Sequence, residues 1–254
     1  MENAEEFNEW HEDDLSFHKD TMVSFSQCTP DRNMSWTEIL RFTSDNAGED
    51  FTKRGMSWPF LMTKGIAFIV GRTSFHAYKM PVADQRISYI TYEAAPQGPL
   101  NPRYYELRDT KTGELLIKAQ TQWTILDVEN RKIIPGKNFT LRPTPTRVEP
   151  FDGIPAGKIK VPEELEFLGK HKIRYSDLDA NGHTNNSRYA SFVFDFLPEE
   201  FQKKVYKDLR MNYSKETVLG EELTLKGKLF EEENKYTVVG FVGQETSFEC
   251  ELYW

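Results

Sequence analysis

Two stretches of the chain repeat apolar residues at helical spacing. Tyr189, Phe192, Val193, Phe196 and Leu197 fall at i, i+3, i+4, i+7 and i+8, the stripe of an amphipathic helix, and Pro198 stops it. Trp36, Leu40, Thr43 and Ala47 mark a second helix earlier in the chain. Elsewhere the period is two. Phe248, Cys250, Leu252 and Trp254 alternate with Ser247, Glu249, Glu251 and Tyr253, the signature of a half-buried strand. Leu223 with Leu225, and the run from Tyr236 to Val242, predict further strands on either side of a polar turn near Glu233 and Asn234. After the first helix, strands are predicted at Gly65 to Arg72, Arg86 to Ala95, Tyr104 to Arg108 and Leu115 to Leu126, the last two joined by a turn at Thr112 and Gly113.

Each half therefore reads as a helix followed by an antiparallel meander, an α+β arrangement with the helix on one sheet face. Sliding the halves by 150 residues aligns Val23 with Ile173, Phe25 with Tyr175, Ser26 with Ser176, and one helix with the other. Between them lie Pro135, Pro143, Pro145, Pro150, Pro155 and Pro162, six of the 13 prolines, which predict an extended connector because proline removes a ladder donor and restricts its neighbour. The expected organisation is an acidic tail over 1–14, an N-terminal unit over 15–136, a connector over 137–167 and a C-terminal unit over 168–254. Two such units could pair edge to edge and cover their exposed strands.

Composition narrows the function classes. The net charge of -8 comes almost wholly from Glu2, Glu5, Glu6, Glu9, Glu12, Asp13 and Asp14, a segment without Lys or Arg that reads as solvated and poorly ordered. This balance argues against nucleic acid as a partner. No run approaches the roughly 18 apolar residues of a membrane span, and no signal pattern opens the chain, so a cytoplasmic protein is expected. Cys28 and Cys250 are too few for a disulfide framework, and no Cys/His spacing suggests zinc.

The densest chemistry is Asp177-Leu178-Asp179-Ala180-Asn181-Gly182-His183-Thr184-Asn185-Asn186, directly before the C-terminal helix. In an extended segment Asp179, Asn181 and His183 would point to one side and bring a carboxylate, an amide and an imidazole together. Asn185 or Asn186 would cap the helix, leaving N–H groups where negative charge is favoured. Asp177, Asp179, Asn181 and Gly182 also match the opening of a calcium-binding loop, but its twelfth position is Arg188 where a bidentate Glu is needed. The plainer alternative is a turn held by Asp and Asn, with Gly182 supplying the permissive backbone. At the offset of 150, Thr29, Asp31 and Asn33 face Asp179, Asn181 and His183, so a duplicated chain would carry one site.

The stretch from Arg174 to Pro198, RYSDLDANGHTNNSRYASFVFDFLP, closely resembles the active-site region of the Fat-type acyl-acyl carrier protein thioesterases of plants and bacteria. The likeness extends to Tyr105 to Asp127, where a D-x-K-T-G turn leads into a strand carrying Trp123, and to the first helix. It implies a tandem, double hotdog fold and hydrolysis of fatty acyl-acyl carrier protein to free fatty acid, with the carrier protein as partner and no cofactor or metal. A homodimer is left open. By the same likeness Asp179, Asn181 and His183 match the family's catalytic residues. Tyr213-Ser214-Lys215-Glu216-Thr217 resembles the plant Y-x-x-E-C segment, which puts the family's Glu at Glu216 and its Cys at Thr217. That last match is a departure and removes a thiol. The lack of an Arg- and Ser-rich transit segment points to a bacterial member. Alternatives are an acyl-CoA thioesterase, a non-catalytic acyl- or carrier-binding module, or a hotdog dehydratase. An acidic carrier would seek positive charge, offered by Arg131, Lys132, Lys137, Arg142, Arg147, Lys158 and Lys160 in the connector and by Lys203, Lys204, Lys207 and Arg210 after the helix.

Overall fold

The structure is a computed structural model and describes residues 7–254. In the N-terminal half, β1 (Glu9–His11) and β2 (Phe17–Met22) precede α1 (Trp36–Lys53) and the short α2 (Trp58–Thr63). There follow β3 (Ile66–Ala77), β4 (Arg86–Glu93), β5 (Leu100–Asp109), β6 (Leu115–Asp127) and β7 (Lys132–Ile134). The C-terminal half runs β8 (Glu166–Lys172), α3 (Arg188–Phe196), α4 (Glu199–Gln202), β9 (Asp208–Tyr213), β10 (Glu222–Phe230), β11 (Lys235–Val242) and β12 (Glu245–Tyr253).

All strands join one antiparallel sheet in the order β1-β2-β4-β5-β6-β3-β9-β12-β11-β10-β8, with β7 paired to β6. The halves meet where β3 pairs with β9, from His76 opposite Asp208 to Arg72 opposite Asn212. This is the edge-to-edge joint expected of two helix-on-sheet units, and it covers one edge of each with ladder hydrogen bonds. Ser35 starts α1 by accepting the Glu38 N–H, and Trp36, Ile39, Leu40, Thr43, Ala47 and Phe51 turn inward from it. From α3 the buried residues are Tyr189, Ala190, Phe192 and Val193. Both helices lie on the same sheet face, where the Thr37 and Ser191 hydroxyls meet at 2.8 Å and a single apolar core spans the joint.

The duplication is visible atom by atom. Residues 25–27 and 175–177 form matching 3-10 turns, and the bridges Cys28 to Met34 and Leu178 to Thr184 stand 150 residues apart. One expectation needs correction. The acidic segment is not free from Glu9 onward: β1 pairs with β2, Glu9 pairs with Lys19 and Lys53, and His11 meets Asp50 at 2.9 Å; residues 1–6 lie outside the described part. The connector is extended, as expected, with no helix or strand over residues 139–165. It crosses the sheet face opposite the helices, where Ser74 donates to Ile154 O, Gln122 to Ala156 O and Arg210 to Gly157 O. Its Arg142 is buried against Glu93 at 2.6 Å, and Arg147 pairs with Asp14 and Glu149 over the Tyr92 ring. Neither offers the open positive charge expected of a carrier-docking patch. Among the described residues no helix is long and apolar enough to cross a membrane.

Candidate functional site

The motif before α3 is folded back on itself, not extended. Leu178 pairs with Thr184, the Asp179 N–H donates to His183 O at 2.9 Å, and the Gly182 N–H donates to Asp179 O at 3.0 Å. Gly182 takes φ +79°, a conformation that costs a glycine little. Asp179 Oδ1 accepts the Asn181 N–H at 2.8 Å. Asp179 and His183 thus share a side because they face each other across the neck of a turn, where opposed residues project together. The period-two argument fails here, and Asn181 stands exposed at the turn's tip.

The other half shows what the turn needs. Thr29 N–H donates to Asn33 O and Arg32 N–H to Thr29 O, both at 2.8 Å, with Arg32 at φ +63°. The same backbone reversal forms there without the carboxylate of Asp179 or the imidazole of His183. Turn-making therefore does not account for those two side chains.

A second segment completes the arrangement. His183 bridges to Val218, Thr184 N–H donates to Thr217 O at 2.8 Å, and Glu216 Oε2 lies 3.1 Å from His183 Nδ1. A carboxylate accepts only, so of the two ring nitrogens Nδ1 is the one placed to donate to it. The pair is open to solvent, with His183 38% and Glu216 66% exposed at the side chain. Behind it, Thr217 is fully buried and its hydroxyl bonds Thr184 Oγ1 at 2.6 Å and the Tyr189 hydroxyl at 3.0 Å. Three hydroxyls thereby tie the turn, the Glu216 segment and α3 to one another. Thr217→Val keeps the shape and strands the other two hydroxyls, so it is expected to cost about 1–3 kcal/mol in denaturant unfolding. In rate it should cost less than Glu216→Gln; the reverse order would place Thr217 in the reaction.

Sequence reasoning passed over the anchor of this turn. Asp177 is buried, accepting from the Arg174 N–H and Arg188 and contacting His171 at 2.8 Å. Burial alone would raise its pKa, but these partners outweigh it and hold the carboxyl below its ordinary range. Arg188, the residue that breaks the calcium pattern, is thus bound to the pattern's first Asp. Asn185 Oδ1 accepts the Ser187 N–H and hydroxyl, closing the start of α3 from two residues ahead. His171 sits on a strand with no apolar alternation, so nothing in the sequence marked it.

Asn186 and Ser187 then line a narrow crevice with Leu40 and Thr43 of α1, Thr73 of β3 and Trp123 of β6. Thr73 Oγ1 is buried there with no partner among the described residues, the mark of a polar atom awaiting one. Neither cysteine serves this site: burial pushes the Cys250 thiol well above its ordinary pKa and raises that of Cys28 as well.

Residues 14–137 match the family model for the acyl-ACP thioesterase N-terminal domain, and residues 161–251 match that for the C-terminal domain. The chain belongs to the acyl-ACP thioesterase family. Among relatives it resembles the chloroplastic palmitoyl-acyl carrier protein thioesterase of Arabidopsis thaliana, 21% identical over 81% of this chain and 53% of that protein. Likewise the chloroplastic oleoyl-acyl carrier protein thioesterase 2 of the same plant is 24% identical over 59% of this chain and 44% of its own. The chain thus spans about half the length of the curated relatives it matches. An acyl-ACP thioesterase structure from Bacteroides thetaiotaomicron superposes with a TM-score of 0.86 at 20% identity, over 96% of this chain and 99% of the other. The 12:0-ACP thioesterase from Umbellularia californica gives 0.78 at 17% identity over 94% and 97%. The double hotdog fold of the acyl-ACP thioesterases is the fold of this chain.

Proposed function

We propose that the protein hydrolyses the thioester of a fatty acyl-acyl carrier protein and releases the free fatty acid. The observation that carries this reading is the 3.1 Å contact between Glu216 and His183, formed on a turn that the other half builds without either group. Glu216 holds the imidazole tautomer, and a water between Asp179 and His183 Nε2 gives its proton to the imidazole as its oxygen attacks the thioester carbonyl. The carbonyl oxygen gains charge near the start of α3, where backbone N–H groups and the helix dipole favour an anion, with Asn181 as a further donor. Collapse breaks the carbon–sulfur bond, the thiolate leaves, and the imidazolium proton goes to sulfur. No step in this route requires a metal or an organic cofactor, since thiolate is a good leaving group.

An acyl carrier protein is the proposed partner, and two sets of basic residues are candidates for meeting its acidic surface: Arg131, Lys132, Lys137, Lys158 and Lys160 of the connector are exposed, as are Lys203 and Lys207 after α4, although Lys203 shares its charge with Glu199. The two unbridged cysteines support a reducing, cytoplasmic setting. Measuring free fatty acid and free thiol from acyl-carrier protein and acyl-coenzyme A in parallel tests the reading. Turnover of the carrier substrate at higher kcat/KM is expected; preference for the coenzyme A ester would move the protein to the acyl-CoA class, and no turnover of either would leave a binding module.

A further inference from the structure

The ladder that joins the two halves stops short of the sheet's end. β3 and β9 last pair at Arg72 and Asn212; there β3 bulges at Gly71, between Val70 and Arg72, and β9 ends one residue later at Tyr213. On the helix side of this point lies the crevice lined by Val70, Thr73 and Tyr213. On the connector side lies a cleft of about 340 Å³ lined by Gly71, Arg72, Gln122, Lys158, Asn212 and Glu249, with Tyr213 again at its wall. Tyr213 is a wall of both, so crevice and cleft approach the end of the ladder from opposite faces of the sheet. Gly71 leaves its side of the cleft open, because nothing lies within 4 Å of where its side chain would begin.

The cleft is polar in an unusual way. Asn212 is only 6% exposed, yet its Oδ1 has no partner among the described residues. A buried amide oxygen of this kind is missing a donor. Glu249 accepts from the Ser214 hydroxyl at 3.0 Å, and Arg72 donates to Gln122 Oε1 at 3.3 Å. Burial raises the Glu249 carboxyl above its ordinary range, against the Ser214 hydroxyl and the nearby charges of Lys158 and Arg72, which pull it down. Two residues beyond Ser214 stands Glu216.

We propose that this cleft holds the phosphopantetheine arm of the substrate and that the arm passes the end of the β3–β9 ladder beside Tyr213, so that the thioester reaches the crevice. The inference rests on the thioesterase reading. The arm is thin, carries two amides and a hydroxyl, and ends in a phosphate. Asn212 Oδ1 receives an amide N–H, Gln122 and Ser214 meet the polar groups that follow, and Arg72 with Lys158 meets the phosphate. Gly71 and Tyr213 flank the arm where it leaves the cleft.

The test uses acyl-phosphopantetheine and acyl-pantetheine as substrates, and 4′-phosphopantetheine alone as a calorimetric ligand. In Arg72→Ala/Lys158→Ala, KM for the phosphorylated substrate should rise about tenfold and the preference over acyl-pantetheine should vanish. Gly71→Leu fills open space without backbone strain, so thermal unfolding should hold while kcat/KM for both substrates falls about tenfold or more. Retention of the phosphate preference by the double variant, together with wild-type kcat/KM in Gly71→Leu, overturns the proposal. If the wild type hydrolyses neither substrate, the thioesterase reading fails on its own. Calorimetry then decides the site: binding of 4′-phosphopantetheine that Gly71→Leu abolishes upholds it, and no binding to the wild type removes it.

Discussion

Replacing His183 or Asp179 by alanine is expected to lower the rate of thioester hydrolysis by at least about a hundredfold each, with the fold retained. The rate loss follows from geometry: the two side chains face one side of the turn, and Glu216 lies 3.1 Å from His183 Nδ1. Retention of the fold follows from the duplication. Thr29 and Asn33 close the same turn with the same two backbone hydrogen bonds, so the backbone does not depend on the chemistry it displays in the C-terminal half. Asp31→Ala, on the exposed tip of that second turn, is the matched control and should run at the wild-type rate. Circular dichroism and steady-state kinetics on the three variants check the expectation. Folded Asp179→Ala and His183→Ala proteins with near wild-type rates would show that hydrolysis happens elsewhere.

The elements legible in the sequence were those whose burial is one-sided. The stripes of α1 and α3 and the alternation of β12 each separate an apolar from a polar face, and their positions agree with the structure to within a few residues. β2 and β8 escaped notice because FHKDTM and EFLGKHK have little apolar content; β8 is an edge strand with one neighbour, and β2 is flanked on its outer side only by the three-residue β1. β9 escaped for the opposite reason. It lies at the central joint, with its connector-side residues Arg210 and Asn212 polar beneath the connector, so alternation was broken by groups that another segment covers. The motif itself announced its chemistry but not its shape. The family resemblance put Asp179 and His183 forward and the Asn-Gly pair offered a turn, while the approach of Glu216 depends on pairing with a segment more than thirty residues away, and no local pattern encodes that. Arg142 makes the same point: a lone arginine among prolines reads as solvated until its carboxylate, from β4, is in view.

Asp50→Ala should cost about 3–5 kcal/mol of stability, the usual penalty for removing one partner of a buried ion pair. Asp50 is 1% exposed and stands at the centre of a charged cluster in the N-terminal half. Its Oδ2 accepts from Arg103 at 2.6 Å and from Arg54 at 2.9 Å, and its Oδ1 meets His11 at 2.9 Å. Arg103 is 2% exposed, lies over the Phe51 ring and also donates to the Thr91 hydroxyl. Arg54 and the connector's Arg142 share Glu93 at 2.8 and 2.6 Å. Removing Asp50 leaves three cations around one carboxylate, with Arg103 unable to reach water. Burial alone would raise the Asp50 pKa, but Arg103, Arg54 and His11 outweigh it and hold the carboxyl below its ordinary value. A carboxyl depressed in the folded state contributes stability that is fully present above its unfolded pKa and is lost as pH falls through the folded one. The gap between wild type and Asp50→Ala should therefore be widest near neutral pH and close in strong acid, as the wild type loses the same charge. Urea unfolding across that pH range measures it. A gap that stayed constant down to the most acidic condition would mean that the carboxylate's charge does not hold the cluster together.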